Sequence, residues 1–597
     1  MTEATAICDR LSSQTTPRIH YQVAMPQPKT HLFEVTLQVE GWQKPWLDLH
    51  MAVWTPGSYL VREYAKQVQD LQAQIKGKEG VLSSSKKSKN HWRVKTEGNE
   101  NITVFYRVFA NELSVRTNHL DNTHGYFNGA ALFFFLPGLK QQPTQIKIIL
   151  PKSDWQITTT LPKVEGKDNT FLAPDFDTLV DSPFEIGKQQ IYNFEVLGKS
   201  HQLAIWGKGN IDAYKVIKDT KKIIEVEAKL YSGLPYEHYL FLLHLSASGF
   251  GGLEHKESCS LNYSRFGFRA KDKYDRFMQL VAHEFFHLWN VKRIRPYALE
   301  KFDYEQENYT TSLWFCEGVT SYYDLLIPLW AGVYDRKTYL ASLSKDINRF
   351  LTTPGRKVQS LSESSFDAWI KLYRRDANSD NSQISYYLKG EMLSLLLDLL
   401  IRAHHNNKRS LNDVMLHMWQ QFGKDEIGFT PQQLKEVIAS VADTDLTTFF
   451  NFYLDGTEEL PFNQYLEPFG LKVSGSKAKE PVPYLGINLN ENNGPATIKF
   501  VEIGSPASLA GLDTGDELLA IDGFKITAEQ LSDRLKDYQP GDSINVSVFH
   551  SEELINYQVK LTESIPNRYQ IKPIKSPTKE QKKLLAGWLG EELVGNK

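Results

Sequence analysis

Long apolar segments and cysteine are scarce in this sequence. No apolar run approaches the roughly 20 residues that cross a bilayer, and residues 1–16 are polar and lack the apolar core of a secretion signal. There are only three cysteines, Cys8, Cys259 and Cys316. So small and odd a number does not form a disulfide framework. We therefore expect a cytoplasmic protein without a membrane partner.

An excess of one charge is also absent. The formal net charge is −3 over 597 residues, and no long block of one sign occurs. Bulk electrostatics therefore does not favour binding to nucleic acid or to an anionic membrane, and neither is an expected partner. Hydrophobic residues make up 41% of the chain and charged residues 23%, which is the balance of an ordinary globular protein.

The length and the local patterns predict a multidomain α+β protein. Alternating apolar residues, as in 32–39, indicate strands through the first third of the chain. Strand patterns continue from about 200 to 260, including residues 222–230, and the pattern is helical from about 270 to 455. The predicted segments are a flexible N-terminus (1–16), a β-rich domain (17–190), a catalytic domain (191–473), a linker (474–483), a compact β-rich unit (484–565) and a C-terminal tail (566–597) with a short amphipathic helix near 584–589.

The run His283-Glu284-Phe285-Phe286-His287 has the spacing of a zinc site on a helix. Over residues 274–290, apolar side chains fall within one arc of roughly 100°, and His283 and His287 project from the opposite face. Two imidazoles one turn apart can bind one tetrahedral zinc ion. Glu284 beside them can act as general base on a water molecule that the metal activates. A buried helical histidine is otherwise often a core group, so the metal interpretation depends on this facing. The apolar set is Tyr274, Phe277, Met278, Val281, Phe285 and Leu288.

A catalytic zinc ion needs a third protein ligand and leaves its fourth position to water. Glu317, which lies near the start of a second apolar helix at 313–324, is the candidate. A helix dipole also favours an acidic residue there without any metal, and Glu305 and Glu307 in the preceding polar loop are alternatives. Asp324, seven residues after Glu317 on the same face, is a candidate to hold a ligand imidazole.

These motifs resemble the glycyl aminopeptidase family of gluzincin metallopeptidases. The resemblance implies a β-saddle domain, a thermolysin-like catalytic domain and a C-terminal PDZ domain. It implies Glu317 as third ligand of one Zn²⁺ per chain, and a preference for small N-terminal residues, Gly or Ala. The spacer of 29 residues between His287 and Glu317 departs from larger gluzincin aminopeptidases of the leukotriene-hydrolase type but is similar to the glycyl group. The matching runs are HEFFHLWNVKRIRP (283–296), LWFCEGVTSYYD (313–324), WTPGSYL (54–60) and FNGAAL (127–132).

The segment Gly251-Gly252-Leu253-Glu254-His255 resembles the edge-strand motif GAMEN of related aminopeptidases. Glycines let a substrate backbone approach closely, and a strand edge can pair with an extended peptide. The Glu254 carboxylate would then bind the free α-ammonium of the substrate. His255 departs from the Asn of the related motif, and without the resemblance the segment is typical of a Gly-rich turn with a surface Glu.

The segment Tyr386-Tyr387-Leu388-Lys389-Gly390 is similar to the YxKG segment of the same proteins. The resemblance implies that Tyr387 donates a hydrogen bond to the oxyanion that forms during hydrolysis. Tyr386 is an alternative donor. Taken alone, the two tyrosines would be typical aromatic packing residues of a helix.

Residues 484–523 resemble a PDZ domain of the bacterial protease type. The loop Leu485-Gly486-Ile487 would offer backbone N–H groups to a peptide carboxylate, and the strand after it would accept an added strand. A helix over 527–538 would form the other wall of the groove. A C-terminal peptide is the expected ligand, although such a module can also serve as a packing scaffold.

The combined motifs predict a zinc aminopeptidase that acts on peptides with a free N-terminus. The first alternative is a zinc endopeptidase whose PDZ domain recruits protein tails. The second is a non-enzymatic PDZ interaction protein built on an inactive peptidase scaffold.

Overall fold

A computed structural model describes residues 17–476, 483–490, 495–563, 565–566 and 568–590. The predicted multidomain α+β class is confirmed. The predicted N-terminus 1–16 and most of the predicted linker 474–483 lie outside the described residues. The chain forms two compact units, the first comprising Met1–Thr310, Trp330–Val333 and Met415–Leu434 and the second comprising Thr311–Leu329, Tyr334–Val414 and Lys435–Lys597.

Three sheets form the N-terminal part of the first unit. Strand Leu32–Glu40 buries every second residue, which confirms the strand predicted from the alternation at 32–39. The first sheet has six strands, in the order Thr170–Ala173, Thr144–Ile149, Arg18–Ala24, Leu32–Glu40, Asn101–Phe109 and Val68–Ile75. The second has four, in the order Phe134–Phe135, Trp46–Met51, His91–Lys95 and Ser84–Ser88. The third also has four, in the order Gln156–Thr158, Phe184–Gly187, His124–Phe127 and His119–Leu120.

A fourth sheet of five strands follows in the same unit. Its central strand, His238–Ser246, is parallel to both neighbours and almost wholly buried, as expected for a strand covered on both faces. Strand Phe250–Glu254 lies at the edge and runs antiparallel to its neighbour. The order is Gln190–Val196, Lys199–Trp206, His238–Ser246, Ser258–Ser264 and Phe250–Glu254.

The strand predicted at 222–230 is wrong, because this segment is the second half of helix Ala213–Leu230. Its β-branched residues favour a strand locally, but Val216, Ile223 and Ile224 form one buried stripe at helical spacing. The helix packs against helix Lys271–Phe286. Shorter helices of this unit are Pro28–Thr30, Tyr64–Gln67, Gly129–Ala131, Phe176–Val180, Tyr297–Leu299 and the π-helical Trp419–Gly423.

The second unit is mainly helical before residue 470. Helix Tyr386–His404 is buried over almost its whole length, which its leucine-rich sequence explains. The other helices that lie wholly or partly in this unit are Trp314–Val319 (π-helical), Thr320–Trp330, Arg336–Thr352, Pro354–Lys357, Leu361–Phe366, Asp367–Trp369, Ser379–Ser382, Leu411–Met418, Pro431–Ala442, Thr447–Tyr453, Phe462–Leu466 and Glu467–Phe469. Within the described residues, no helix combines the length and the apolarity that crossing a bilayer requires.

A β-rich module lies between two paired strands of the second unit. Strand Leu471–Ser476 pairs antiparallel with Arg568–Pro573, and the module occupies the sequence between them. The predicted helix over 527–538 is too long. Only Leu531–Leu535 is helical, since the chain passes into 3₁₀-type turns before Pro540. The module contains strands Ile487–Leu489 and Ile498–Val501, strands Phe524–Lys525, Glu517–Ile521, Ser543–His550 and Glu553–Lys560, and helices Pro506–Ala510 and Leu531–Leu535.

The amphipathic helix predicted near 584–589 is confirmed as helix Lys579–Leu589. A capping box between Thr578 and Gln581 starts it. Near its end, Trp588 is fully buried and donates from its indole N–H to the Tyr322 hydroxyl at 3.0 Å. The C-terminal segment therefore packs into the same unit as the helices around residue 322.

Candidate active site

The helix Lys271–Phe286 presents the two histidines of the HExxH run. All six apolar residues assigned to its inner face are buried. The rings of His283 and His287 lie 4.6 Å apart, centroid to centroid, and are nearly perpendicular. The helix ends at Phe286 rather than at residue 290, but His287 keeps helical backbone angles as the C-cap. The predicted facing of the two imidazoles is therefore present in the first unit.

His287 is held by a hydrogen bond to the backbone. Its Nδ1 lies 2.7 Å from the carbonyl oxygen of Asn290. A ring N–H that donates to this carbonyl belongs to the tautomer in which Nε2 carries no proton and can ligate a metal. The turn after the helix therefore orients the second histidine as a metal ligand requires.

Glu284 lies in a buried cluster of acids and imidazole. Glu254, Glu284 and His287 each offer a ligand atom, and these atoms lie within 4.8 Å of one another. Burial raises the pKa of Glu284 to about 7, with Glu254 adding to the rise and His283 and His287 opposing it. A carboxyl group with a pKa near neutrality can both take up and release a proton at working pH, as a general base must.

The predicted edge-strand motif lies on an edge strand. Glu254 is the last residue of Phe250–Glu254 and is buried. A Cβ at Gly252 would overlap the carboxyl group of Glu284, so glycine is what lets the strand approach the helix this closely. Gly251 has φ +146°, and a Cβ there would meet only Arg116 Nη1 at 3.7 Å. The segment is thus a strand, not the surface turn that its glycines alone suggest.

The WTPGSYL run contributes to the surroundings of Glu254. Gly57 has φ +86°, and a Cβ at this position would lie 2.7 Å from Cδ of Glu254. Only glycine combines that left-handed backbone with such close approach. The WTPGSYL run therefore lies directly against the carboxylate that is predicted to bind substrate.

His255, which departs from the related motif, belongs to an ion-pair network around Asp181. The Asp181 carboxylate lies 2.6 Å from Lys292 Nζ and 3.2 Å from His255 Nδ1, and it accepts the Lys256 N–H at 2.7 Å. Burial alone would raise the pKa of Asp181, but Lys292 and His255 hold this pKa well below its usual range. The network links the end of the edge strand to the segment that follows the HExxH helix.

Two charged residues near this cluster, the partly buried Arg116 and the buried Glu227, have no signal in the sequence. Arg116 donates from Nη2 to the Gly252 carbonyl at 3.0 Å and lowers the pKa of Glu284. Glu227, on helix Ala213–Leu230, is fully buried, and burial raises its pKa well above the ordinary value while His283 opposes the rise. Their partners are far away in sequence, so neither spacing nor periodicity marks them.

Glu317 lies in the second unit, on the π-helical turn Trp314–Val319, and is buried. Single π-helical turns are frequent at functional sites. Of the alternatives, Glu305 is a largely exposed carboxylate 2.7 Å from His50 Nδ1, and Glu307 is only partly buried in the same loop. Asp324 lies on the following helix. Burial raises the pKa of Glu391 well above its ordinary value, and the carboxylates of Asp346 and Asp324 add to the rise.

The two candidate tyrosines share one partner. The Tyr373 hydroxyl lies 3.1 Å from that of Tyr387 and 3.2 Å from that of Tyr386. Tyr386 is fully buried, whereas Tyr387 is partly exposed. Burial and the nearby carboxylate of Glu317 raise the pKa of Tyr387 well above its ordinary value. Tyr387 therefore keeps its proton as a hydrogen-bond donor and lies next to the predicted third ligand.

The predicted peptide loop of the β-rich module surrounds Gly486. Gly486 has φ +87°, and a Cβ there would overlap Ser505. The carbonyls of Leu485 and Gly486 accept the N–H groups of Ala507 and Glu502, at 3.0 and 2.9 Å. Strand Ile487–Leu489 pairs with Ile498–Val501, and no other described strand pairs with it.

Three family models match this chain: the Peptidase M61 N-terminal domain over residues 20–188, M61 glycyl aminopeptidase over 276–393 and the PDZ domain over 483–561. The aminopeptidase N family protein from Idiomarina loihiensis is 32% identical, with a TM-score of 0.89 over 96% of this chain and 100% of that one. An M1 zinc metallopeptidase from Deinococcus radiodurans is 12% identical, with a TM-score of 0.47 over 74% of this chain and 94% of that one. Legionella pneumophila aminopeptidase A is 13% identical, with a TM-score of 0.47 over 79% of this chain and 54% of that one. No curated protein sequence matches the chain.

Proposed function

Because the chain belongs to the M61 glycyl aminopeptidase family, it is a metallopeptidase of the aminopeptidase type, and we propose that it removes small N-terminal residues, Gly or Ala, from peptides. The observation that carries the proposal is the approach of Glu254 to Glu284 and His287, with ligand atoms within 4.8 Å. A carboxylate so close to the general base would hold a free α-ammonium beside the bond to be cleaved. That arrangement favours removal of a single N-terminal residue over internal cleavage.

We propose that His283, His287 and Glu317 hold one Zn²⁺. The two perpendicular imidazoles, the His287 tautomer and the buried acidic side chain fit the His/His/Glu donor set of a catalytic zinc. When bound, the ion supplies a Lewis acid and lowers the pKa of a water molecule. Asp324 is proposed to support a ligand imidazole.

The protein's own groups would then carry the proton and the charge. Glu284 takes a proton from the attacking water as the new C–O bond forms, and delivers it to the leaving amine as the C–N bond breaks. Tyr387 donates its O–H to the developing oxyanion. The edge strand pairs with the substrate backbone, with Gly251 and Gly252 leaving room for it.

A panel of aminoacyl amides tests this assignment. Gly and Ala amides should be cleaved fastest, and Glu284→Gln should lower hydrolysis by about 10³-fold or more. Glu254→Gln should reduce the preference for a free amine over the matching N-acetylated substrate. Glu305→Gln is the control, since this surface carboxylate should affect neither activity nor zinc content.

Two outcomes would favour the alternatives. Equal cleavage of N-acetylated and free-amine substrates by the unmodified protein would indicate an endopeptidase. Purified protein that binds no zinc after exposure to the ion would indicate an inactive scaffold. Unchanged hydrolysis in Glu284→Gln would remove that residue as the base.

We also propose that the PDZ module binds a C-terminal peptide along strand Ile487–Leu489. This strand has one described neighbour, so its other edge is where an added strand would pair. Peptides with a free C-terminal carboxylate should bind, and the same peptides with an amidated end should not. Equal binding of both forms would argue for a packing role instead.

A further inference from the structure

One face of a four-stranded sheet in the first unit carries a second group of metal-ligating side chains. In its register, Tyr126 is opposite both Glu185 and His119 on the two neighbouring strands. Directly opposed residues share a face, and so do residues two apart on one strand. His119, His124 and Glu185 therefore project from the same side of this sheet.

A histidine of the five-stranded sheet meets this face. His244 Nε2 lies 2.7 Å from one oxygen of Glu185, and His124 Nε2 lies 3.8 Å from the other. The three side chains offer ligand atoms within 4.8 Å of one another. Trp206, the register neighbour of His244, stacks on the His124 ring at 3.7 Å between centroids and fixes its plane.

These groups are deeply buried and poorly satisfied. The side chain of His124 is 0% exposed, and those of Glu185 and His244 are 1% exposed. Within the described part of the chain, both ring nitrogens of His124, Nδ1 of His244 and Oε1 of Glu185 have no hydrogen-bond partner. Buried polar groups are nearly always paired. The Glu185–His244 hydrogen bond accounts for only one nitrogen and one oxygen of the set.

We propose that His124, Glu185 and His244 form a second metal site, distinct from the HExxH site, for a divalent transition ion of the zinc type. Two imidazoles and one carboxylate suit zinc, whereas calcium and magnesium prefer oxygen ligands alone. Binding replaces the His244–Glu185 hydrogen bond. A neutral imidazole that ligates through Nε2 carries its one proton on Nδ1, so His244 would bind the ion in that tautomer, and any proton beyond it leaves to solvent.

The site would join two sheets of the first unit. His124 and Glu185 come from the four-stranded sheet, and His244 comes from the five-stranded sheet that also contains the edge strand. His119 and Asp121 mark a path to the surface. Their side chains are 12% and 33% exposed, and with His124 they form another group of three possible ligands.

Cobalt binding to the full-length protein tests the proposal without using activity. After the metals have been removed with a chelator, the visible absorption of tetrahedral Co²⁺ and the metal content measure the equivalents bound. The unmodified protein should bind two equivalents. His283→Ala/His287→Ala should bind one, because the HExxH site is lost, and adding Glu185→Gln should remove the remaining equivalent.

His201→Gln in the His283→Ala/His287→Ala background is the matched control. His201 is also a fully buried histidine of the five-stranded sheet, but its two nitrogens face Lys199 O at 3.0 Å and Tyr236 Oη at 2.7 Å. This variant should keep the remaining equivalent. Circular dichroism checks that each variant is folded, and Zn²⁺ should raise the midpoint of thermal unfolding only where the equivalent is retained.

Two results would overturn the proposal. In the first, the unmodified protein binds a single equivalent of Co²⁺ and His283→Ala/His287→Ala binds none. The other is a remaining equivalent that survives both Glu185→Gln and His124→Gln. Glu185→Gln keeps the size of the side chain and a hydrogen bond to His244, so a folded variant is expected in which only the anionic ligand is lost.

Discussion

Gly252 is a sensitive position, because the edge strand there leaves no room for a Cβ beside Glu284 of the HExxH helix. A Cβ there overlaps the Glu284 carboxyl group, so Gly252→Ala should displace the proposed base. We expect kcat on Gly amide to fall by about 10²-fold, because misplacing a catalytic group by about 1 Å has effects of this size. Zinc content should be unchanged.

Gly251→Ala is the comparison for this prediction. Its Cβ meets only Arg116 Nη1 at 3.7 Å, so the change strains the backbone without touching Glu284. A smaller loss of kcat is expected than for Gly252→Ala. Equal losses in the two variants would show that backbone strain, not displacement of the base, explains the effect.

The neighbouring tyrosines separate a role in catalysis from one in packing. Both contact the Tyr373 hydroxyl, so Tyr387→Phe and Tyr386→Phe remove equivalent hydrogen bonds. Only Tyr387→Phe should lower kcat, by about 10²-fold with little change in KM, since its hydroxyl is the proposed oxyanion donor. Steady-state kinetics on one substrate decides between them, and a larger loss in Tyr386→Phe would reverse the assignment.

At this scale, the residues that sequence can predict are those whose chemistry depends on local spacing. His283, Glu284 and His287 lie on one helix, so their facing follows from its period. Arg116 could not be predicted, because its partner Gly252 is 136 residues away and the contact is to a backbone carbonyl. The buried group around His124 and Glu185 was missed for the same reason, since pairing of distant strands creates it.

Among the elements, two helices meet at a pair of glycines. A Cβ at Gly390 would lie 2.9 Å from Gly318 Cα and 2.9 Å from the Trp314 carbonyl oxygen. Gly318 and Trp314 both belong to the turn that carries Glu317. Gly390→Ala should therefore push this turn aside, lowering the free energy of unfolding by about 1–3 kcal/mol and weakening zinc binding. Urea denaturation and zinc titration measure the two effects. Lower stability with unchanged zinc affinity would contradict a positioning role for this crossing.

The Asp181 network gives the end of the edge strand a defined pH dependence. The pKa of Asp181 is depressed in the folded protein, so its contribution is complete above its unfolded pKa of about 4 and is lost as the pH falls below it. Asp181→Asn leaves Lys292 buried without its counter-ion, so it should lower the free energy of unfolding by about 3 kcal/mol at pH 7. Denaturation curves should show a constant difference from pH 8 to 5 that shrinks below about pH 4. A difference that does not vary over the acidic range would contradict this role of the carboxylate.

Element types followed from the sequence where one pattern was dominant. Strand Leu32–Glu40 and helix Lys271–Phe286 have clear periods, and both were predicted. Residues 222–230 were mistaken for a strand because β-branched residues lie together, although the longer window is helical. The π-helical turn at Trp314–Val319 could not be foreseen, because it depends on packing against another helix.

On the scale of the whole chain, the order of the modules is predictable from motifs. The pairing of the C-terminal strand Arg568–Pro573 with Leu471–Ser476, which precedes the PDZ module, is not. Ser476 and Arg568 are register partners at the end of a strand pair, with the PDZ module between them in sequence. Replacing residues 477–567 by a short Gly-containing turn should preserve folding and the cleavage of aminoacyl amides, because a tight loop can join antiparallel neighbours.

Truncation after residue 566 should have the opposite effect. It removes strand Arg568–Pro573 and the buried Trp588, whose indole contacts Tyr322. Loss of a buried tryptophan alone lowers stability by about 3–5 kcal/mol. Circular dichroism and thermal unfolding compare the two deletions, and equal stability would contradict the structural role of the C-terminal segment.

Asn381 contacts the PDZ module directly. Its side chain donates to the Val501 carbonyl at 3.0 Å and accepts the Ile503 N–H at 3.1 Å, and it would lose these partners only when the module is removed.

Two buried cysteines of the described residues, Cys259 and Cys316, can report separately on motions of the two units. Cys259 lies on a strand of the first unit and Cys316 on the π-helical turn of the second, and both are 0% exposed. A thiol reagent therefore modifies each only when its surroundings open. In a Cys8→Ser background, mass spectrometry of the labelled peptides would give two opening rates from one sample. Substrate analogues that slow labelling at one thiol and not at the other would show which unit tightens on binding.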